Sequence, residues 1–308
     1  MNYKQLGDTG VQVSELAVGT WKYRGGVEPL RVGIELGASF IDTAESYGTE
    51  TIVAEAIRGI RKRIFLASKV SPRHFRYKDV IRAAEVSLKQ LDTDYLDLYQ
   101  LHWPNYTVPI AETVGAMERL VEMGKIRFIG VSNFSTAELM EAQRHLSHAR
   151  IVSNQVKYSL IHRDPECGLL RYCEKKGISL LAFSPLASGP DALMQADKGD
   201  TLGRVGAMVQ KTRTQVALNW CVARPSVIAV FKADRLEHLR ENCGASGWYL
   251  AAEQYDLVGR GVSATQNRSG IERFARRVVR RMLQYTGRNL GTATQMDLAA
   301  GAEQNGSH

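Results

Sequence analysis

Apolar and polar positions along the chain follow two periods in turn. Residues 3–13 read as a short β-hairpin, with Tyr3-Lys4-Gln5-Leu6, a turn at Gly7-Asp8-Thr9-Gly10, then Val11-Gln12-Val13. After it, short apolar runs alternate with helix-period segments. Leu16-Ala17-Val18 precedes a helix around residues 28–37, ended by Gly37. Phe40-Ile41 precedes a helix whose apolar face is Ile52, Val53, Ala56, Ile57 and Ile60. Ile64 to Ser68 leads to a helix in which Val80, Ala84, Leu88 and Leu91 keep the same period. Leu96 to Leu101 is followed by a helix at about 110–123, and Arg127 to Val131 by one that Ser135 opens as N-cap, with Glu138 three residues on. Ile151-Val152-Ser153 precedes a helix near 166–176, ended by Gly177. Ser179 to Phe183 precedes a segment at about 200–223 with room for one or two helices. Val227 to Phe231 precedes a helix from about 235 and another near 251–260.

Eight strand–helix units in about 245 residues, with no Gly-, Pro- or Ser-rich linker between them, suit an α/β protein of the (β/α)8 TIM-barrel type. A doubly wound open sheet is the competing arrangement, but no Gly-x-Gly-x-x-Gly follows the first strand. The expected organisation is a barrel over residues 1–260, carrying the N-terminal hairpin, and a C-terminal helical extension over 261–308. In that extension Ile271, Phe274, Val278, Met282 and Tyr285 recur at helical spacing, an amphipathic helix of about four turns. The residues after it, through Gly301-Ala302-Glu303 to His308, read as disordered. The helix either packs its apolar stripe on the barrel or docks, by its basic face, on a membrane surface or an acidic partner.

Charge and cysteine content narrow the class. The formal net charge of +8 suggests nucleic acid, but half of it sits in the last 48 residues, where seven Arg face three acids. The body is close to neutral, so no nucleic-acid partner is expected. Cys167, Cys173, Cys221 and Cys243 form no Cys-x-x-Cys pair and no metal-ligand spacing with His, which reads as buried structural thiols in a reducing compartment and no metal. No secretory leader is legible at the N-terminus, and no apolar stretch approaches the roughly 20 residues that cross a bilayer. A cytoplasmic protein without stable membrane insertion, and a monomer, are expected.

The chemistry lies at the ends of the apolar runs. Asp42 follows Phe40-Ile41 and opens Asp42-Thr43-Ala44-Glu45-Ser46-Tyr47-Gly48; Lys69 follows Ser68; His102 follows Leu101. Residues at one end of neighbouring parallel strands converge, and in a barrel the active site forms at the C-terminal strand ends. Ser132-Asn133, Asn154-Gln155, Phe183-Ser184 and Lys232 fall at further strand ends. Singly, each of these reads as a solvated rim residue or, for His102, a core histidine. Together, in register with eight repeats, they read as a site. Its logic is that of a proton donor with its tuning system: Lys69 lowers the pKa of the Tyr47 phenol, Asp42 holds Lys69, and His102 orients a carbonyl oxygen. A hydride for that carbonyl must come from a cofactor, since no side chain supplies one.

Several stretches carry a family resemblance: Leu16-Ala17-Val18-Gly19-Thr20-Trp21, the segment Asp42 to Gly48, Leu101-His102-Trp103-Pro104, Gly124 to Phe134, Ser184-Pro185-Leu186-Ala187-Ser188-Gly189, and Lys232-Ala233 followed by Glu237-His238-Leu239-Arg240-Glu241-Asn242. In this order, over about residues 3–260, the chain resembles the aldo-keto reductases. The resemblance implies a nicotinamide cofactor, NADP(H), bound in extended form without a Rossmann unit or a metal. It makes Tyr47 the proton donor, with Asp42, Lys69 and His102 as its partners. Ser132, Asn133 and Gln155 match residues that hold the nicotinamide carboxamide, and Phe183 matches a ring that stacks on it. Ser184, Leu186 and Ser188 match the pyrophosphate loop. Lys232, His238, Glu241 and Asn242 match the adenosine end, with Lys232 at the 2′-phosphate. Phe231 and Ala233 depart from the family's usual Pro and Ser. Trp21 and Trp103 match pocket-lining residues, and with Tyr23 and Phe134 they make an expected apolar pocket wall.

The function these readings imply is NADPH-dependent reduction of aldehydes or ketones, on a small-molecule carbonyl substrate. Two alternatives stand beside it. One is a cofactor-binding regulatory subunit that acts through a partner, which the basic extension favours and the intact tetrad does not. The other is a barrel enzyme for phosphorylated sugars, which the lack of a metal cluster disfavours.

Overall fold

A computed structural model describes residues 1–264; the expected amphipathic helix and nearly all of the basic extension lie outside them. The hairpin is present, with β1 (Tyr3–Gln5) antiparallel to β2 (Gln12–Ser14). Eight further strands follow: β3 (Leu16–Gly19), β4 (Phe40–Asp42), β5 (Phe65–Val70), β6 (Leu96–Leu101), β7 (Ile126–Ser132), β8 (Ile151–Lys157), β9 (Ser179–Phe183) and β10 (Val227–Phe231). They are all parallel and close into a barrel in chain order, with β10 pairing back to β3. The expected (β/α)8 barrel is therefore the observed fold.

The runs that marked these strands are buried on both faces, as a parallel sheet under helices requires. Inside the barrel, Ala17, Phe40, Phe65, Ala67, Leu98, Leu181 and Ile228 pack with Leu6 and Val13 of the hairpin region. The hairpin thus supplies core side chains to one end of the barrel. Lys4 anchors it: its Nζ donates to the carbonyls of Val222, Arg224 and Val227 and lies 3.7 Å from Glu15. Burial dominates that ammonium and lowers its pKa to about 8.

The outer layer is helical: α1 (Val27–Glu35), α2 (Glu50–Ile57), α3 (Tyr77–Gln90), α4 (Ile110–Glu122), α5 (Thr136–Arg144), α6 (Leu169–Lys175), α7 (Pro190–Ala196), α8 (Thr201–Val209), α9 (Arg213–Val222), α10 (Leu236–Cys243) and α11 (Ala252–Gly261). Ser135 and Glu138 form the expected capping box on α5, and Thr212 with Gln215 forms a second on α9. Segment 200–223 holds two helices, as expected. The helix α7 just before it has no counterpart in the sequence reading. Tyr255 of α11 stacks on Trp220 of α9 with centroids 5.3 Å apart and planes 9° apart. The packed chain runs on through Val262, which is buried.

The cysteines follow the expectation with one exception. Cys173, Cys221 and Cys243 are buried, and burial pushes each thiol up to about 12, but Cys167 is exposed on the turn before α6. Among the described residues no helix is long and apolar enough to cross a membrane.

Candidate active site

Two strands run further than their apolar runs, so two of the polar residues read as strand followers are strand members. Asp42 is the last residue of β4 and Lys69 the second last of β5; His102 directly follows β6. Tyr47 closes a 3-10 turn, Glu45–Tyr47, just after β4. Strand register does the rest: Asp42 pairs with Ala67 of β5, and Lys69 with Gln100 of β6. Gln100 in turn pairs with Gly130 of β7, where an added Cβ would come within 2.8 Å of the Gln100 side chain. A glycine at that height leaves the room that Gln100 occupies.

Lys69 is fully buried, and each of its three protons has an acceptor within reach. Its Nζ lies 2.5 Å from Asp42 Oδ2, 3.0 Å from the Thr43 carbonyl and 3.3 Å from the Tyr47 hydroxyl. The Tyr47 hydroxyl is also 3.3 Å from His102 Nε2, and the two rings meet edge-on with centroids 5.5 Å apart. Asp42 Oδ1 accepts from two carboxamides, Gln155 Nε2 at 2.8 Å and Gln100 Nε2 at 3.1 Å. Four expected residues are therefore one hydrogen-bonded group.

Burial of the Lys69 ammonium works against its charge, but Asp42 and then Tyr47 outweigh that, and its pKa is raised. Lys69 is a cation and Asp42 its counter-ion. Burial also pushes the Tyr47 phenol up, and the opposing pull of Lys69 does not cancel it. The expected lowering of this phenol is corrected: Lys69 restrains the rise without reversing it. His102 is held well below its ordinary value, first by burial and then by the charge of Lys69, so its imidazole is neutral at physiological pH. Such a group can donate one N–H to an oxygen while the phenol beside it keeps its proton.

The same network takes in three more expected residues. Ser132 Oγ donates to the Gln155 carbonyl at 2.9 Å. Asn133 Nδ2 donates to Ser132 Oγ at 2.9 Å and to the His102 carbonyl at 3.1 Å. Asn133 has φ 64, a left-handed backbone that Asn tolerates better than most residues. Gln100 belongs to this network and is absent from the sequence reading. Its one mark in the sequence is a polar residue within an apolar run, a mark that Asp97 of the same strand shares.

The remaining expected residues lie on neighbouring loops. Phe183 ends β9, half-buried, and Ser184, Leu186 and Ser188 lie on the loop that leads to α7. Ser184 and Ala187 take positive φ, 50 and 55, and the loop is drawn in by hydrogen bonds from Ala187 N to the Ser184 carbonyl and from Gly189 N to the Leu186 carbonyl. Lys232 follows β10; His238, Glu241 and buried Asn242 lie on α10. A cavity of about 570 Å³ opens between α7, α8, α9 and α10, walled by Leu193, Leu202, Thr214 and Glu241 among others. Of the expected pocket aromatics, Trp21 is exposed and Trp103 half-buried. Tyr23 and Phe134 are buried in the core, and the Tyr23 hydroxyl donates to the Gly26 carbonyl. Of the four rings, the two tryptophans keep the more exposed surface.

Comparison with known proteins agrees with this geometry. The aldo/keto reductase family model matches residues 15–260. Methylglyoxal reductase YeaE of Escherichia coli (strain K12) is 34% identical over 284 residues, which cover 88% of this chain and 99% of that protein. Among solved structures, the thermostable aldo-keto reductase Tm1743, in complex with the inhibitor epalrestat, aligns with a TM-score of 0.79 at 42% identity, over 84% of this chain and 99% of that one. An aldo/keto reductase from Klebsiella pneumoniae in complex with NADP and acetate aligns with a TM-score of 0.79 at 36% identity, over 87% and 97%. A closed eight-stranded barrel, a hydrogen-bonded Asp42–Lys69–Tyr47–His102 group and a family match over most of the chain lead to one assignment: the chain belongs to the aldo/keto reductase family.

Proposed function

We propose that this protein is an NADPH-dependent oxidoreductase that reduces aldehydes or ketones to alcohols, with Tyr47 as general acid. The observation that carries this reading is the Tyr47 hydroxyl held 3.3 Å from both Lys69 Nζ and His102 Nε2. A substrate carbonyl oxygen seated there receives a hydrogen bond from neutral His102 and the proton from Tyr47. Lys69 then stabilises the phenolate left behind, a charge it faces only once the proton has moved. Asp42 keeps Lys69 in place, and Gln100 and Gln155 keep Asp42 in place.

The residues present suit a nicotinamide dinucleotide. Ser132, Asn133 and Gln155 carry carboxamide and hydroxyl groups beside the proton donor. The loop of Ser184, Leu186 and Ser188 turns on positive-φ residues, and the cavity reaching Glu241 is partly apolar and partly polar, suited to an adenosine. His238 and Asn242 lie with Glu241 on α10, and Lys232 offers a cation to the 2′-phosphate. When bound, such a cofactor supplies the hydride that adds to the carbonyl carbon. The Klebsiella relative solved with NADP supports the choice of cofactor.

The two pKa directions fix a pH profile. A phenol raised above 10 is protonated throughout the neutral range, and a histidine depressed well below 6.5 is neutral there. Carbonyl reduction is therefore expected to be flat from about pH 6 to 9. Alcohol oxidation needs the phenolate and is expected to climb with pH across the same range. A reduction rate that titrates near pH 6.5 with a saturating substrate would contradict the neutral state of His102.

Substrate choice follows from Trp21 and Trp103, apolar surfaces that bind by area at about 25 cal/mol per Å². Benzaldehyde-type substrates are expected to give a higher kcat/KM than glyceraldehyde. Loss of NADPH absorbance over a panel of these two and methylglyoxal tests the activity and the preference together. No turnover of any carbonyl would overturn the functional reading; a preference for glyceraldehyde would overturn only the role given to the tryptophans.

A further inference from the structure

The cation offered to the cofactor already has a partner. Lys232 Nζ donates to Asp234 Oδ2 at 2.5 Å. Asp234 Oδ1 accepts the backbone N–H of Arg24 at 3.0 Å, from the loop that follows β3. On the same loop, a Cβ on Gly25 would come within 2.7 Å of the Asp234 carbonyl. Both carboxylate oxygens are thus engaged, and the two loops touch closely enough to hold Asp234 where it is. On the same stretch Arg235 pairs with Glu237 at 3.3 Å, and His238 Nδ1 lies 3.9 Å from Glu241. Positive charge at Lys232 is therefore partly cancelled before any phosphate arrives.

We propose that Asp234 sets the cofactor choice, weakening the grip of Lys232 on a 2′-phosphate and accepting a hydrogen bond from the ribose hydroxyl of the unphosphorylated cofactor. The inference rests on the NADP(H) reading above. A phosphate monoester carries nearly two negative charges at neutral pH, and a fixed carboxylate beside its cation repels it. The Lys232 and Asp234 side chains are 39% and 31% exposed, so solvent screens the repulsion without removing it. A unit like-charge contact in that high dielectric corresponds to about five- to tenfold in affinity. A carboxylate that accepts from a ribose 2′-hydroxyl is the usual device for the unphosphorylated cofactor. The wild type should accordingly bind NADPH only about tenfold, or less, more tightly than NADH, and should bind both.

Asp234→Asn separates charge from shape, since the amide oxygen still accepts the Arg24 N–H. Dissociation constants for NADPH and NADH are measured on the full chain by quenching of tryptophan fluorescence, at low and high salt. The expected result is that Asp234→Asn binds NADPH about five- to tenfold more tightly and NADH severalfold more weakly. The gain for NADPH should shrink at high salt and, in so far as it comes from freeing Lys232, become smaller when Lys232→Ala is added. Asp234→Ser is the second variant should the first fold poorly. NADPH binding within about twofold of wild type in both variants, at unchanged melting temperature, would overturn the assignment of Asp234 and leave the functional reading standing. A wild type that binds neither cofactor would overturn both.

Discussion

Tyr47→Phe is expected to lower kcat for carbonyl reduction by about two to four orders of magnitude while the dissociation constant for NADPH stays within about twofold. The substitution removes one oxygen and keeps the ring. In the proposed role, what goes with that oxygen is the transferable proton and the anion that Lys69 would stabilise from 3.3 Å. Both act in the transition state more than in the ground state, so kcat carries the loss and KM little of it. The edge-on packing of the ring on His102 survives the change, which keeps the fold and the imidazole in place. Steady-state kinetics with benzaldehyde, and a fluorescence titration with NADPH, read the two quantities separately. Retention of more than about a tenth of wild-type kcat would remove Tyr47 from the role of acid. A cofactor-binding regulatory subunit predicts a different pattern, with negligible turnover already in the wild type.

Much of the hydrogen-bonded group was legible because a parallel barrel turns sequence position into spatial position in a simple way. Asp42, Lys69 and His102 each sit at the end of an apolar run, and strands adjacent in the chain are adjacent in the barrel. Three things were not legible. Gln100 lies within the run Leu96–Leu101, where Asp97 is just as polar and just as buried. Asp97 bonds Arg61, Arg127 and the Leu66 amide, a structural task, while Gln100 bonds Asp42, and only the side each faces tells them apart. The shift of the Tyr47 phenol depends on how much burial accompanies Lys69, and burial is a property of the fold. Asp234, two residues past Lys232, carries no mark in the sequence, since its contact with Arg24 exists only where the loops after β3 and β10 meet.

Helix α7 was hidden for a more local reason. Gly189-Pro190-Asp191 reads as a turn, yet Pro at the first position and Asp in the first turn also open a helix. Its length of seven residues gives the apolar period too little room to show. The orientation of Tyr23 and Phe134 was not legible either, because proximity to a strand end does not say which way a ring turns. Both turn into the core, where an aromatic ring buries more apolar area than it would in an open pocket.

Lys69→Met is expected to cost about 3–5 kcal/mol of stability as well as the activity, because it leaves the Asp42 carboxylate buried without its counter-ion. Asp42 is 2% exposed, and after the substitution the amides of Gln100 and Gln155 are the donors left to its side chain. Two amide donors offset part of the desolvation of a carboxylate but carry no net charge. The Lys69 stem is fully buried, and Met fills a similar volume, so a cavity contributes little. The double variant Lys69→Met with Asp42→Asn tests the cause. If the loss comes from an orphaned charge, the second substitution restores most of the melting temperature, since a neutral carboxamide in that place needs no ammonium. Activity should remain low in the double variant, because nothing then stabilises the Tyr47 phenolate. Chemical denaturation of the wild type, both single variants and the pair gives the coupling energy directly. Additive losses in that cycle would mean that the buried Asp42–Lys69 pair is not the electrostatic unit described here, and that Lys69 acts through packing alone.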